Sequence, residues 1–480
     1  MDTQNCKNLI AGEWRDSDHH VDSINPAKLD EVVARYALAS VEDCAQAIDA
    51  ARSAFPSWSQ SELEARKAIL DKIGDELIAR SAELGELVSR EEGKPLAEGI
   101  GEVARSGQFF QYFGAEVLRQ MGESAHSVRP GVDVDVSREP LGVIGVITPW
   151  NFPIAVAAWK IAPALAFGNC VVLKPSELVS GSAWAFADIV HRSGLPAGVF
   201  NMVMGEGAEI GVALTSSKKI DAISFTGSVN VGRQIARTAI ENMTRVQLEM
   251  GSKNALVVLN DADIDLAVQC AINGAFFGSG QKCTASSRLI VEAGVHDEFV
   301  AKMTAATEAL VVGDPLAKGT QLGPIVDERQ FKQNQRYLKL AAEEGATQVA
   351  GGDSSQLPEN GYFMRPTLFT NTSNAMRINR EEMFGPIACV IKVADYDEAL
   401  QVSNDSDFGL TAGIMTSSLR NANHFKRHSE SGCVMINLPT AGTDYHVPFG
   451  GRKASSFGPR EQGQYAKEFY TIVKTSYISA

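Results

Sequence analysis

From Leu141 onward the chain alternates short apolar runs with longer stretches of helical spacing, and no other feature constrains its fold as tightly. The runs fall at 143–147, 170–173, 199–204 and 222–225. Apolar runs separated in this way predict a parallel sheet joined by crossover helices. A second series extends from Ala255 to about Val434, with strand-like pieces at 255–259, 287–291 and 388–393. Two α/β domains meeting near Glu249 is the simplest division. Ahead of Leu141, segments 8–14 and 22–26 read as short strands and turns. Helical spacing over 41–55 places Val41, Ala45, Ile48 and Phe55 near one face, and helical patterns continue over 62–90 and 98–121. Residues 132–136 alternate as an exposed strand.

A chain of 480 residues is too long for one ordinary core, which supports the division. The net charge of -14, without a basic block, argues against nucleic acid or an anionic membrane as partner. The run 141–147 is far too short to span a bilayer, and the first residues carry neither a basic region nor an apolar run. Seven cysteines, an odd number with no CxxC, argue against a disulfide framework or a zinc site and fit a reducing cytoplasm. No metal is expected.

Chemistry concentrates in a few turns. Gly278-Ser279-Gly280-Gln281-Lys282-Cys283-Thr284 delivers one thiol on a glycine-rich approach. A free thiol of pKa about 8.5 is only a few per cent thiolate at neutral pH, and that fraction attacks carbonyl carbon. Lys282 beside it favours the anion if its ammonium faces the sulfur; a buried structural cysteine is the competing reading. Glu249 ends the alternating run 245–249 and is a general base if a domain junction covers it. Alternation equally puts it on a solvated polar face with Arg245 and Gln247. Asn151, in the turn Thr148-Pro149-Trp150-Asn151-Phe152-Pro153, stands where an amide can donate to an oxyanion, or is simply a turn asparagine. Phe225-Thr226-Gly227-Ser228-Val229-Asn230-Val231-Gly232 and Gly205-Glu206-Gly207 are glycine-bearing turns suited to phosphate, though neither is GxGxxG. Lys174 and Glu177 follow another run and suit ribose hydroxyls or an ordinary solvated turn.

Taken together and in order, these segments resemble the aldehyde dehydrogenase superfamily from Asn8 to Lys474. Glu92-Gly93-Lys94-Pro95, Glu382-Met383-Phe384-Gly385-Pro386 and Pro448-Phe449-Gly450-Gly451 complete the set. The resemblance implies an α/β fold with a Rossmann-type cofactor domain (1–116 and 139–248), an α/β catalytic domain (249–458) and a small β oligomerisation element (117–138 and 459–480). It implies that Cys283 attacks the aldehyde, that Asn151 and the Cys283 backbone N–H hold the oxyanion, and that Glu249 activates water against the thioester. Trp150, Lys174, Glu177, Gly207, Gly227, Ser228, Gly232, Glu382 and Phe384 would meet NAD(P). Glu177 leans towards NAD. Lys160 matches a family lysine by position. Where the family often has Gly-Gly and Ser-Gly, this chain has Gly251-Ser252 and Ser455-Ser456, departures expected to leave the named chemistry untouched.

Within the family the segments 281–288, 437–446 and 458–463 are most similar to the 2-oxoglutarate semialdehyde dehydrogenase subgroup. The substrate pocket is then expected near Phe152, Trp159, Lys282 and Thr284, with Lys282 or Arg105 as the cation for a substrate carboxylate. A homodimer or homotetramer acting on a small aldehyde follows from the same resemblance. A dehydrogenase of another semialdehyde, a broad-range aldehyde dehydrogenase, a coenzyme A-acylating relative and a non-catalytic binding protein on the same fold remain as alternatives.

Overall fold

A computed structural model describes residues 4–352, 354 and 356–479. The expected runs become Val143–Ile147, Cys170–Lys174, Phe200–Met202 and Ala222–Thr226, and with Arg245–Glu249 they form the parallel centre of an eight-stranded sheet. The order across this centre is 245–249, 222–226, 143–147, 170–174, 200–202. The chain first lays strands to one side of Val143–Ile147 and then returns to the other side. A topological switch therefore falls between Val143–Ile147 and Ala222–Thr226, at whose carboxyl ends a crevice opens. Their continuous apolar character reflects burial on both faces.

The second series forms a seven-stranded sheet, parallel from Thr367–Thr372 through Ile387–Val393, Arg288–Glu292, Ala255–Val258 and Thr411–Met415 to Cys433–Ile436. Only its edge strand Thr347–Ala350 is antiparallel. The chain leaves the first sheet at Glu249 and enters the second at Ala255. It comes back late: Ser456–Phe457 pairs antiparallel with Leu248 and Glu249. Glu249 thus lies at the seam of the two sheets.

Glu123–His126, Val132–Pro140 and Thr471–Ser479 make a separate three-stranded antiparallel sheet. Its outer strand exposes Ile472, Val473, Tyr477 and Ile478. The helix Val41–Ser59 departs from expectation in its face. Val41 is half exposed and Ala45 exposed, and the buried residues are Cys44, Ala47, Ile48, Ala51 and Trp58. Small residues set that face, because the helix packs directly on the sheet at Cys170–Lys174. Among the described residues no helix is long and apolar enough to cross a membrane, and no cluster of three metal-ligating side chains occurs.

Candidate active site

The helix Ile264–Phe276 ends in an abrupt turn that presents Cys283. Gly278, Ser279 and Gly280 adopt φ of 65°, 53° and 65°, all left-handed. A side chain at Gly280 would put its Cβ 2.2 Å from the Gly385 carbonyl oxygen. Ser279 bears a left-handed backbone at a cost of order 1–3 kcal/mol. Its hydroxyl donates to the Gly323 carbonyl at 2.8 Å, which helps hold it there. The Gln281 side chain accepts the Val326 N–H at 3.0 Å. Beyond the turn, Asn254 Nδ2 donates to the carbonyls of Cys283 at 2.8 Å and Ala285 at 3.0 Å. The carbonyls of Cys283 and Ala285 are thereby fixed before a substrate arrives.

Cys283 is partly exposed, and its thiol is pushed up to about 12. Burial is the largest cause, followed by the charges of Glu249 and Glu382, while its own backbone N–H pulls the other way. Lys282 and Cys283 feel each other's charge, but Lys282 is not among the causes that set the Cys283 thiol. Its ammonium donates to the Asn273 carbonyl at 3.0 Å and burial pushes it down to about 8.

Asn151 reaches this loop directly. Its Nδ2 donates to the Gln281 carbonyl at 2.9 Å, two residues before Cys283. The Asn151 carbonyl accepts from Lys94 Nζ at 2.7 Å. Lys94 also pairs with Glu102 at 2.6 Å and lies 4.0 Å from the centroid of the Phe152 ring. Glu102 in turn accepts the N–H groups of Ile154 at 3.0 Å and Ala155 at 3.1 Å, at the start of the helix Ala155–Ala166. A carboxylate at a helix N-terminus is favoured by the free N–H groups there. Lys94 and Glu102 together pin the whole turn.

Glu249 is buried rather than on a solvated face. The polar side of its strand is covered by the C-terminal segment: Gln247 Nε2 donates to the carbonyls of Pro459 and Arg460, at 3.1 and 3.2 Å. Ser456 Oγ donates to Glu249 Oε2 at 2.7 Å and accepts the Gly451 N–H at 2.6 Å. The Ser455-Ser456 departure therefore does touch the named chemistry, because the returning strand Ser456–Phe457 pairs beside Glu249. Burial, then the nearby charge of Glu461, raise the Glu249 carboxyl well above its ordinary value; Ser456, Lys160 and Arg460 oppose them. Lys160 Nζ, fully buried, bonds Glu461 and the Ser224 hydroxyl.

The switch-point crevice has the features a dinucleotide needs. The buried hydroxyls of Thr148 and Thr226, at the carboxyl ends of the two strands that flank it, have no hydrogen-bond partner among the described residues. Ser228 caps the helix Val229–Glu241 through the Val231 N–H, at 3.4 Å. Gly227 and Gly232 are packed against Phe225 and Met250, where a Cβ would approach atoms at 2.5 and 2.4 Å. Lys174 is buried, with Nζ on the Pro175 carbonyl at 2.8 Å and 3.7 Å from the exposed Glu177. Gly207 opens a one-turn π-helix, Gly207–Gly211, with open space beside it. At the far end, the Trp150 and Phe384 rings meet edge-on at 5.4 Å. Glu382 accepts the Ser252 N–H at 2.7 Å and is pushed up to about 7 by burial.

Of the pocket residues, Trp159 packs between Phe109 at 5.9 Å and Phe449 at 5.8 Å. Thr284 presents its carbonyl to the Thr440 hydroxyl at 2.7 Å. Sequence reading missed Glu102, Ser456 and Glu461. Lys94 and Glu461 stood in quoted motifs, but their roles require knowing which distant turn each one faces.

The aldehyde dehydrogenase family pattern matches residues 14–476, and the chain belongs to that family. It is 42% identical to an α-ketoglutarate semialdehyde dehydrogenase of Haloferax volcanii, over 99% of this chain and 100% of that one. Its structure is similar to that of a betaine aldehyde dehydrogenase from Staphylococcus aureus in complex with NAD+, with TM-score 0.96, 34% identity and coverage of 98% and 95% of the two chains. A structure of an NADP-dependent enzyme from E. coli matches equally, with TM-score 0.96 and 34% identity over 99% and 98% of the chains.

Proposed function

We propose that the protein oxidises 2-oxoglutarate semialdehyde to the dicarboxylate with NAD(P)+ through a thioester on Cys283. The observation that carries this reading is the Asn151–Gln281 hydrogen bond, which ties an amide donor to the loop of a thiol that also feels Glu249. Trp150, Lys174, Glu177, Gly207, Gly227, Ser228, Gly232, Glu382 and Phe384 would hold the dinucleotide, and the orphaned Thr148 and Thr226 hydroxyls fit polar groups of such a ligand. A nicotinamide bound there supplies the hydride acceptor.

Cys283 gives up its thiol proton to solvent water, and its sulfur forms a bond to the aldehyde carbon while the carbonyl electrons move onto oxygen. Asn151 Nδ2–H and the Cys283 N–H donate to that oxyanion. Departure of hydride from the same carbon restores the carbonyl and leaves a thioester. Glu249, deprotonated, takes a proton from water, whose oxygen attacks the thioester carbon. The C–S bond breaks and the acid leaves. The raised pKa of Glu249 suits this task, since a stronger base takes the proton more readily. A base provided for water argues against the acylating alternative.

The 42% relative supports an acidic aldehyde as substrate. A second reading, a quaternary ammonium aldehyde, is favoured by the aromatic wall of Trp159, Tyr445 and Phe449. Nicotinamide absorbance with a panel of aldehydes and both coenzymes, with and without coenzyme A, tests the assignment. Oxidation independent of coenzyme A and lost in Cys283→Ala is expected; activity surviving that substitution overturns it. Preference for betaine aldehyde over acidic aldehydes selects the second reading.

A further inference from the structure

We infer that Arg105 receives the carboxylate of an acidic aldehyde and thereby sets the preference for carboxylated over neutral substrates. The inference rests on the aldehyde dehydrogenase reading above and adds the group that recognises the far end of the substrate.

Two independent routes lead from the reacting groups to Arg105. The first follows the helix Leu96–Glu116. Glu98, near its start, accepts the Gly278 N–H at 3.2 Å and so fastens the helix to the Cys283 loop. Arg105 lies seven residues further on, the same face two turns along, about 10 Å by the helical rise. The second follows the aromatic wall. Gly450 abuts Glu249, 2.8 Å from where its Cβ would stand, and adjoins Phe449. From Phe449 the wall passes to Trp159, then to Phe109 and on to Tyr445, whose centroid is 6.4 Å from that of Phe109. The Arg105 guanidinium lies 5.4 Å from the Tyr445 centroid.

Arg105 is half-buried and its guanidinium makes no hydrogen bond or ion pair among the described residues; its one contact of note is the ring. The acids on its own helix are engaged elsewhere, Glu98 with Gly278, Glu102 with Lys94, Ile154 and Ala155, and Glu116 with Arg119. A guanidinium without a carboxylate, resting on an aromatic face at the end of an apolar wall, is a receptor for a planar anion. Lys282, the other candidate, is already engaged by the Asn273 carbonyl.

The test compares kcat/KM for glutaric semialdehyde and for pentanal, two five-carbon aldehydes that differ by the carboxylate. Wild type is expected to favour the acid. Arg105→Met should cut the acid-to-neutral ratio at least about 10-fold, chiefly through KM, as loss of a charged hydrogen bond does. Arg105→Lys should recover part of it, and Lys282→Met should change the ratio less than either. Inhibition by glutarate should weaken in Arg105→Met, a readout that does not depend on turnover of the acid. An unchanged ratio in Arg105→Met, or a collapse in Lys282→Met instead, overturns the inference. So does a wild type indifferent to the carboxylate, which leaves the aldehyde dehydrogenase reading standing; a wild type that oxidises neither aldehyde overturns both.

Discussion

Three side chains, Asn151, Ser456 and Glu461, set the chemistry proposed for Cys283 and Glu249. Asn151 contributes a preorganised donor, so Asn151→Ala should lower kcat about 10²–10³-fold. Alkylation of Cys283 by iodoacetamide, which has no oxyanion to hold, should slow far less, and the two rates measured side by side check this. Ser456 and Glu461 bias Glu249 in opposite directions. Only the deprotonated base activates water, so hydrolysis rises as pH climbs through the Glu249 pKa. Ser456→Ala removes a donor to the carboxylate and should move that rising limb to higher pH. Glu461→Gln removes a like charge and leaves Lys160 unpaired; both effects favour the carboxylate, so the limb should move to lower pH. Shifts on the order of one pH unit correspond to about 1.4 kcal/mol of differential stabilisation. Limbs that move together, or not at all, contradict this account of the base.

Elements explain which parts of the site could be read in advance. The apolar runs announced the parallel strands, because burial on both faces leaves a continuous signature in one short segment. Glycines announced the Cys283 turn, because two of its three successive left-handed residues, Gly278 and Gly280, take that conformation without a Cβ penalty. Glu249 was ambiguous, since its strand alternates like an exposed one; what buries it is a segment about two hundred positions later, Ser456–Phe457 and Glu461, which no local pattern reveals. Lys94 and Glu102 were hidden for the same reason, as their partner is the turn at Asn151. Gly280→Ala tests the turn itself. It should cost about 2 kcal/mol or more, from a positive φ and a Cβ against the Gly385 carbonyl, read as a lower midpoint in urea with m unchanged. Wild-type stability in Gly280→Ala contradicts the geometry given for the loop.

The whole molecule joins its two large sheets at Glu249 and carries a small antiparallel sheet at its margin. We take the margin sheet, Glu123–His126 with Val132–Pro140 and Thr471–Ser479, as the oligomerisation element, since its open edges and exposed apolar side chains need covering. Light scattering should return a multiple of the 51.5 kDa chain, two or four copies, and deletion of the strand Thr471–Ser479 should lower that number. A monomer at micromolar concentration contradicts the assignment. The central claim concerns one covalent bond and is tested most directly by intact-mass and peptide mass spectrometry of enzyme quenched during turnover. With Glu249→Gln slowing hydrolysis, the account predicts an acyl group of the substrate's mass on the peptide that contains Cys283, formed in step with reduced coenzyme. Reduced coenzyme and free acid accumulating while that peptide stays unmodified would contradict it.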